Sequence, residues 1–456
     1  MTTEQNYGYF LRRVALLGFP LVLQSLLFSS AGFIDSLLVS QLGTQEVAAS
    51  SIGARVFWFA GIFIWGMGTG MGVLLAQYWG AKDEQGLRRN FALGSTFSTL
   101  ASALIFSLCW FFPSTIPSLF KVSGETATLA ADYLQIISIA LLLAGPTISM
   151  DSALRSLGKT KVTLYMSIAE IGVNIGLSFV LIFGYFGMPE MGLMGAGVGT
   201  LSARVLRVVL SVLTIHFFNP VLILKPKDFA FSLNTVKRYL NITAPIIAGS
   251  LMWSGGIFTY QLIMGRMGET ELATMAIISS LEAMTLCVAS GLSGATAIIV
   301  GNALGANKLA TSERYARYAL ATSASVGTLC AVLVLLSQGV ILSLYTQVSA
   351  DVIALAALCF PVLAVSTVVR NINITLIVGV LRAGGDAKFC MNMDVVCQWM
   401  WAVPMTALAA MWFELPLQYV FLMMTSEEIV KLYPTIKRVF GNKWVNNLTE
   451  DKAASA

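Results

Sequence analysis

Apolar residues run in stretches of twenty or more along most of the chain, separated by short polar turns that contain glycine. About twenty such residues cross the ~30 Å hydrocarbon core of a bilayer as a helix. The pattern predicts twelve spans, near residues 14–40, 46–78, 91–115, 127–153, 161–186, 191–217, 240–265, 271–303, 315–345, 352–380, 388–412 and 416–440. Spans 46–78 and 271–303 are longer than the core requires, so they extend past the bilayer or cross it tilted. The expected fold class is an all-α polytopic membrane protein with twelve transmembrane helices.

The pattern also repeats. When Pro20 is laid over Pro245, the segment Phe33 to Gly43 falls on Phe258 to Gly268, and Gly80-Ala81 on Gly305-Ala306. With a small further slip, Leu154-Arg155 lies over Leu381-Arg382, and Gly158 over Gly385. Apolar helices share letters easily, but matched glycine punctuation in the turns is harder to obtain by chance. Six spans per half is an even number, so both halves start on one side of the membrane as parallel repeats. Such bundles enclose a central cavity near the midplane and rock about it to alternate access. The expected organisation is an N-terminal lobe over 1–218, a linker over 219–239, a C-terminal lobe over 240–440 and a tail over 441–456.

Composition agrees with a lipid-facing surface. Hydrophobic residues make up 57% of the chain and charged residues 11%, where a soluble domain carries about 25% charged. With the N-terminus placed inside, only Lys121 and Arg266 of the 28 Lys and Arg fall outside. Five lie within spans, and all the others lie on the inner side. The positive-inside rule then makes both termini cytoplasmic. The net charge of +5 is loop charge with a sidedness and implies no nucleic-acid partner. Residues 1–10 are mostly polar and Arg12 and Arg13 follow, so the first span is expected to remain in the mature chain. The six cysteines form no CxxC pair, which argues for buried filler and against a metal site.

Polar groups within spans are costly, about 2.5–3.5 kcal/mol for a charge at mid-helix, and are functional by default. Asp35 sits ~9–12 Å inside the outer end of the first span. Ser178, Asn174 and Thr200 lie ~9–15 Å deep on the fifth and sixth spans, so the four groups share a depth range. Desolvation disfavours an ionised carboxylate, which suits Asp35 to carry a proton; a purely structural acid held by hydroxyls is the alternative. The chain's one histidine, His216, lies near the inner end of its span and is badly placed for a relay. Glu170, one turn deeper than Asn174, is either a second proton site or structural. Pro20 and Gly32 weaken the first helix on the way to Asp35 and mark a hinge or a static kink. In the second half, Glu282, Asn371 and Arg370 are candidate polar residues of the C-terminal lobe, with a ligand contact as one reading for Glu282, and Asp394 has no assigned role. Asp151 with Arg155, and Glu427 with Lys431, have i,i+4 spacing and are expected to neutralise each other.

The run Pro20 … Asp35 … Leu42-Gly43 … Ala48-Ala49 resembles the first helix of the multidrug and toxic compound extrusion (MATE) family. So do Asn174 … Ile182-Phe183-Gly184 … Gly187-Met188-Pro189-Glu190-Met191-Gly192 … Gly195-Ala196 … Thr200, Gly80-Ala81-Lys82, and Leu381-Arg382 … Asp386. The resemblance covers nearly the whole chain, and it rests on the order and spacing of these motifs. It implies an antiporter that expels cationic amphipathic and aromatic drugs and dyes on a proton or sodium gradient. The aspartate at Asp35 would couple the ion, with Asn174 and Thr200 beside it. Ser178 stands where some members carry a second aspartate. The carboxylates that sodium-coupled members place in the seventh and tenth helices are replaced by Trp253 and Asn371. That points to the DinF-like branch with proton coupling in the first lobe.

The expected function is therefore a proton-driven exporter of a bacterial inner membrane, acting as a monomer, with no cofactor, metal or ATP. Gly158-Lys159-Thr160 ends like a P-loop, but Ala153 replaces its first glycine. A sodium-coupled antiporter and a flippase for lipid-linked saccharides are the competing readings. An enzyme is not expected, since neither clustered metal ligands nor a nucleophile–base pair is present.

Overall fold

The computed structural model describes residues 6–449. Among them every regular element is helical. In chain order the helices are α1 (Tyr7–Ser40), α2 (Thr44–Gly80), α3 (Glu84–Phe111), the short α4 (Thr115–Leu119), α5 (Glu125–Leu142), α6 (Ala144–Ser156), α7 (Thr160–Phe183) and α8 (Leu193–Phe218). The second half holds α9 (Leu233–Met267), α10 (Glu269–Gly305), α11 (Leu309–Ser343), α12 (Ala350–Leu376), α13 (Ala387–Asp394), α14 (Val403–Met411) and α15 (Leu417–Phe440).

Ten spans among the described residues are long and apolar enough to cross a membrane, α5 with α6 counting as one and α12 with its following π turn as another. The chain is thus a multi-pass membrane protein. The last two predicted spans correspond to Ala387–Met411 and Leu417–Phe440. The first of these is helical throughout but passes through π-helical turns over Val395–Ala402, which join α13 to α14. The second, α15, carries Glu427, Glu428, Lys431, Lys437 and Arg438, and this charge lowers its hydropathy.

The turns carry the repeat into the backbone. Gly43 before α2 and Gly268 before α10 have φ of 148° and 153°, values that disfavour any residue with a Cβ. After the same two helices, Lys82 and Asn307 adopt φ of 58° and 56°. Both pairs fall into register when Pro20 is laid over Pro245.

The contacts divide the chain into two compact units, Leu23–Ile247 and Met1–Val22 with Ala248–Ala456. These bounds differ from the lobes expected at the linker. Both cuts fall inside long helices, shortly after Pro20 and Pro245. The reason is packing. Phe10, Val14 and Leu17 of α1 are buried in one core with Leu292, Ala295 and Ile299 of α10. A Cβ at Gly291 would lie 2.8 Å from the Val22 backbone nitrogen and 3.0 Å from the Gly18 carbonyl, so glycine is what lets these backbones meet. In the other unit the start of α9 packs on α2, where a Cβ at Gly66 would lie 3.2 Å from the Ile247 Cα. Phe97 stacks on Tyr239 there at 5.5 Å between ring centroids. Gly66 and Gly291 are repeat equivalents. The linker itself folds as short 3₁₀ turns, with Asp228 buried and accepting from the Lys225 backbone N–H at 2.9 Å.

Candidate functional site

Within the unit Leu23–Ile247, three helices bring Asp35, Asn174 and Thr200 together. Asp35 lies toward the C-terminal end of α1 and is partly buried, Asn174 on α7 is 8% exposed, and Thr200 stands on α8. The α7–α8 pair approaches closely because Gly195 packs on the Leu181 backbone and Gly199 on Ser178.

The hydrogen-bond partners around the Asn174 amide assign its orientation, nitrogen toward Asp35 and oxygen toward Thr200. With its nitrogen toward Asp35, it donates to both carboxylate oxygens at 3.2 Å, and its oxygen accepts from the Thr200 hydroxyl at 3.2 Å. That arrangement suits an ionised Asp35, an acceptor only. With the amide turned over, its nitrogen donates to Thr200 Oγ1 at 3.2 Å, and Thr200 donates to the Ala196 carbonyl at 3.0 Å. The amide oxygen then faces Asp35, which suits a protonated carboxyl able to donate. Tyr133 of α5 lies within electrostatic reach of Asp35. Sequence reading did not single it out, since a tyrosine in an apolar span carries no signal of its own.

Two residues expected in this network stand apart from it. Ser178 is 1% exposed and its hydroxyl has no hydrogen-bond partner among the described residues; it serves as a small surface on which Gly199 packs. Glu170 turns away and pairs with Arg204 at 3.0 Å and Arg207 at 3.6 Å. Arg207, fully buried, also holds Asp151 at 2.6 Å and donates to Ser167 at 2.8 Å. The expected Asp151–Arg155 pair is thus replaced, and Arg155 donates to Gln24 at 3.0 Å. Two helices packed face to face offer Asp151 a shorter approach than its own helix does. The helix continues through Pro20 and Gly32, and a Cβ at Gly32 would touch nothing within 4 Å.

The other unit holds a second set of in-span charges. Arg370 donates to Glu282 at 2.9 Å and faces Glu428 at 3.5 Å. Lys431 pairs with Asp394 at 3.1 Å, and Arg382 lies 3.9 Å from the same carboxylate. The expected Glu427–Lys431 pair is not made; Glu427 accepts from the Tyr260 hydroxyl at 2.9 Å. Asn371 is 1% exposed and donates to the Thr367 carbonyl at 3.1 Å, and the Trp253 carbonyl accepts from Gln398 at 3.3 Å. Neither position supplies a carboxylate. Among the described residues no group of three or more His, Cys, Asp or Glu is arranged to hold a metal ion, and all six cysteines are free thiols. His216 is exposed and stacks edge-on against Phe217. A cavity of about 520 Å³ between α2, α3 and α4 is lined by Phe59, Phe63, Leu108 and Phe112 among others, and no charged group reaches it.

The MatE family model matches residues 20–180 and again residues 245–408. The chain belongs to the MatE family. The two matches start at Pro20 and Pro245, the same pair that sets the register of the internal repeat. Among relatives, the uncharacterized transporter YisQ of Bacillus subtilis is 23% identical, over 94% of each chain. A probable multidrug resistance protein, NorM of Xylella fastidiosa, is 25% identical over 88% of this chain and 85% of its own. A solved multidrug resistance MATE family transporter of the MOP superfamily, in an outward-facing conformation, superposes with a TM-score of 0.86 at 18% identity. It covers 94% of this chain and 96% of that one, and so shares its twelve-helix fold.

Proposed function

We propose that this MatE protein is a secondary active multidrug exporter that sends amphipathic, aromatic cations outward in exchange for protons moving inward. It acts as a monomer in a bacterial inner membrane, with both termini cytoplasmic, and draws on the ion gradient without cofactor or ATP. The observation that carries this reading is the junction of Asp35 with Asn174 and Thr200. Relatives named as multidrug resistance proteins support the substrate class.

A single carboxylate explains the exchange. An ionised Asp35 attracts a cationic drug; at ~4 Å and an effective dielectric near 20 the attraction is about 4 kcal/mol, roughly a thousandfold in affinity. Protonation cancels that charge, turns the Asn174 amide and moves the Thr200 hydroxyl onto the Ala196 carbonyl. The site then favours an empty or drug-releasing state. Because Asp35 stands on the outer part of α1, beyond Pro20, its change of partners bears on that segment, and α1 rearranges as the proton binds. Aromatic side chains suit such substrates through cation–π attraction, and methionine packs adaptably around different shapes. The absence of a carboxylate at Trp253 and Asn371 favours the proton over sodium.

The test is efflux of an ethidium-like dye from vesicles holding the purified protein, with a proton or a sodium gradient imposed separately. Export driven by the proton gradient alone is expected. Export on sodium alone would reject the coupling ion. Movement of a lipid-linked saccharide without any dye would reject the substrate class in favour of a flippase.

A further inference from the structure

We propose that the unit containing Met1–Val22 and Ala248–Ala456 holds a second proton-binding site, formed by Glu427 of α15 and Tyr260 of α9, at the repeat equivalent of Asp35. It extends the proton-coupled reading but rests on different residues. In the repeat register that lays Pro20 over Pro245, Asp35 lies over Tyr260. In the first unit the carboxylate stands on α1 and its hydrogen-bonding partner on α7. In the second the hydroxyl stands on the equivalent helix, α9, and donates at 2.9 Å to a carboxylate supplied by α15. The acid has changed helices while the position has kept a polar group.

Charge balance identifies which group takes the proton. Arg370 serves both Glu282 and Glu428, while Lys431 and Arg382 both face Asp394. Four carboxylates, counting Glu427, therefore share three cations. Glu427 has no ion-pair partner among the described residues, and its hydrogen-bond donor is the neutral Tyr260. It is 4% exposed. An unpaired buried carboxylate is costly and tends to neutralise, whereas Lys431 and Arg370, within electrostatic reach of Glu427, favour its ionised form. Those opposed effects leave neither state locked. Among the described residues no group of three or more His, Cys, Asp or Glu is arranged to hold a metal ion, and the ligand assigned to Glu427 is a proton. Glu428, the other neighbour on α15, is already bonded by Asn373 at 2.7 Å. The Asn373 oxygen is buried without a partner among the described residues, so the cluster keeps an acceptor open beside its surplus negative charge.

Infrared difference spectra of the purified protein in lipid vesicles, taken as the pH is lowered from mildly alkaline to mildly acidic, test the assignment. The wild type is expected to gain two protonated-carboxyl stretching bands. Glu427→Gln should lose one of them and Asp35→Asn the other. Tyr260→Phe, which keeps the ring, should move the Glu427 band to higher frequency because the carboxyl group loses a hydrogen bond. A spectrum of Glu427→Gln that still shows both bands overturns the proposal. So does a Glu427 band that does not change with pH. If Glu427→Gln fails to fold, an unmoved spectrum in Tyr260→Phe is the contrary result. Loss of pH response in the Asp35 band alone would count against the first site and leave this one standing.

Discussion

Asp35 and Tyr260 occupy one position in the repeat, yet only the partners of Asp35 share a depth that sequence reveals, and nothing in sequence spacing points Tyr260 to Glu427 on α15. Asn174 and Thr200 meet Asp35 because glycines at 195 and 199 let α7 and α8 approach; shared depth along the helices already suggested that meeting. Ser178 shares the depth but has no partner for its hydroxyl among the described residues. Removing an unsatisfied buried hydroxyl costs little, so Ser178→Ala should change stability by less than about 1 kcal/mol. Dye export should also stay near wild type. Thermal unfolding in detergent and efflux from vesicles check both, and a severe loss of export would place Ser178 back in the coupling network. Depth along a helix can be read from sequence, whereas rotation about its axis cannot be read reliably among apolar neighbours. The same limit explains Glu170, Asp151 and Glu427. Their i,i+4 or one-turn neighbours were visible, but partners on adjacent helices, Arg204, Arg207 and Tyr260, won.

At the scale of elements, the spans were legible because apolar length and the turn glycines are one-dimensional signals. Two features were not. The π turns over Val395–Ala402 leave no compositional mark, and the charges of α15 give no sign of the partners they find, Arg370 for Glu428, Asp394 for Lys431, Asp386 for Arg438 and the Tyr260 hydroxyl for Glu427. The unit boundaries were also hidden, since they lie inside α1 and α9 and not in the linker. Each closely follows a proline, where the missing backbone hydrogen bond weakens the helix. The two parts of α1 then pack in different units, which suits a hinge. Pro20→Ala restores the bond and should stiffen it. Drug affinity is expected to hold within about threefold while turnover falls at least about tenfold, as when a conformational step limits the rate. Equilibrium dye binding and initial efflux rates separate the two quantities. Unchanged turnover would make the proline a static feature.

For the whole molecule, the distribution of Lys and Arg predicts sidedness. In a background with the six native cysteines replaced, a cysteine at Ala230 in the linker should react with an impermeant thiol reagent only from the cytoplasmic side. A cysteine at Lys121 should react only from outside, and a reversed pattern would invert the direction of transport assigned above. The repeat and the family were legible at this scale because both rest on the order of motifs across the chain. The proposal of a proton as coupling ion rests on Asp35 and two missing carboxylates, and exchange of proton for drug at Asp35 is the central claim. It is tested most directly by imposing a gradient of cationic dye, without any pH gradient, across vesicles holding the purified protein and following internal pH. Wild-type protein should move protons opposite to the dye, and Asp35→Asn should move none. Dye-driven proton movement that survives in Asp35→Asn, or dye movement without protons in the wild type, would contradict the account.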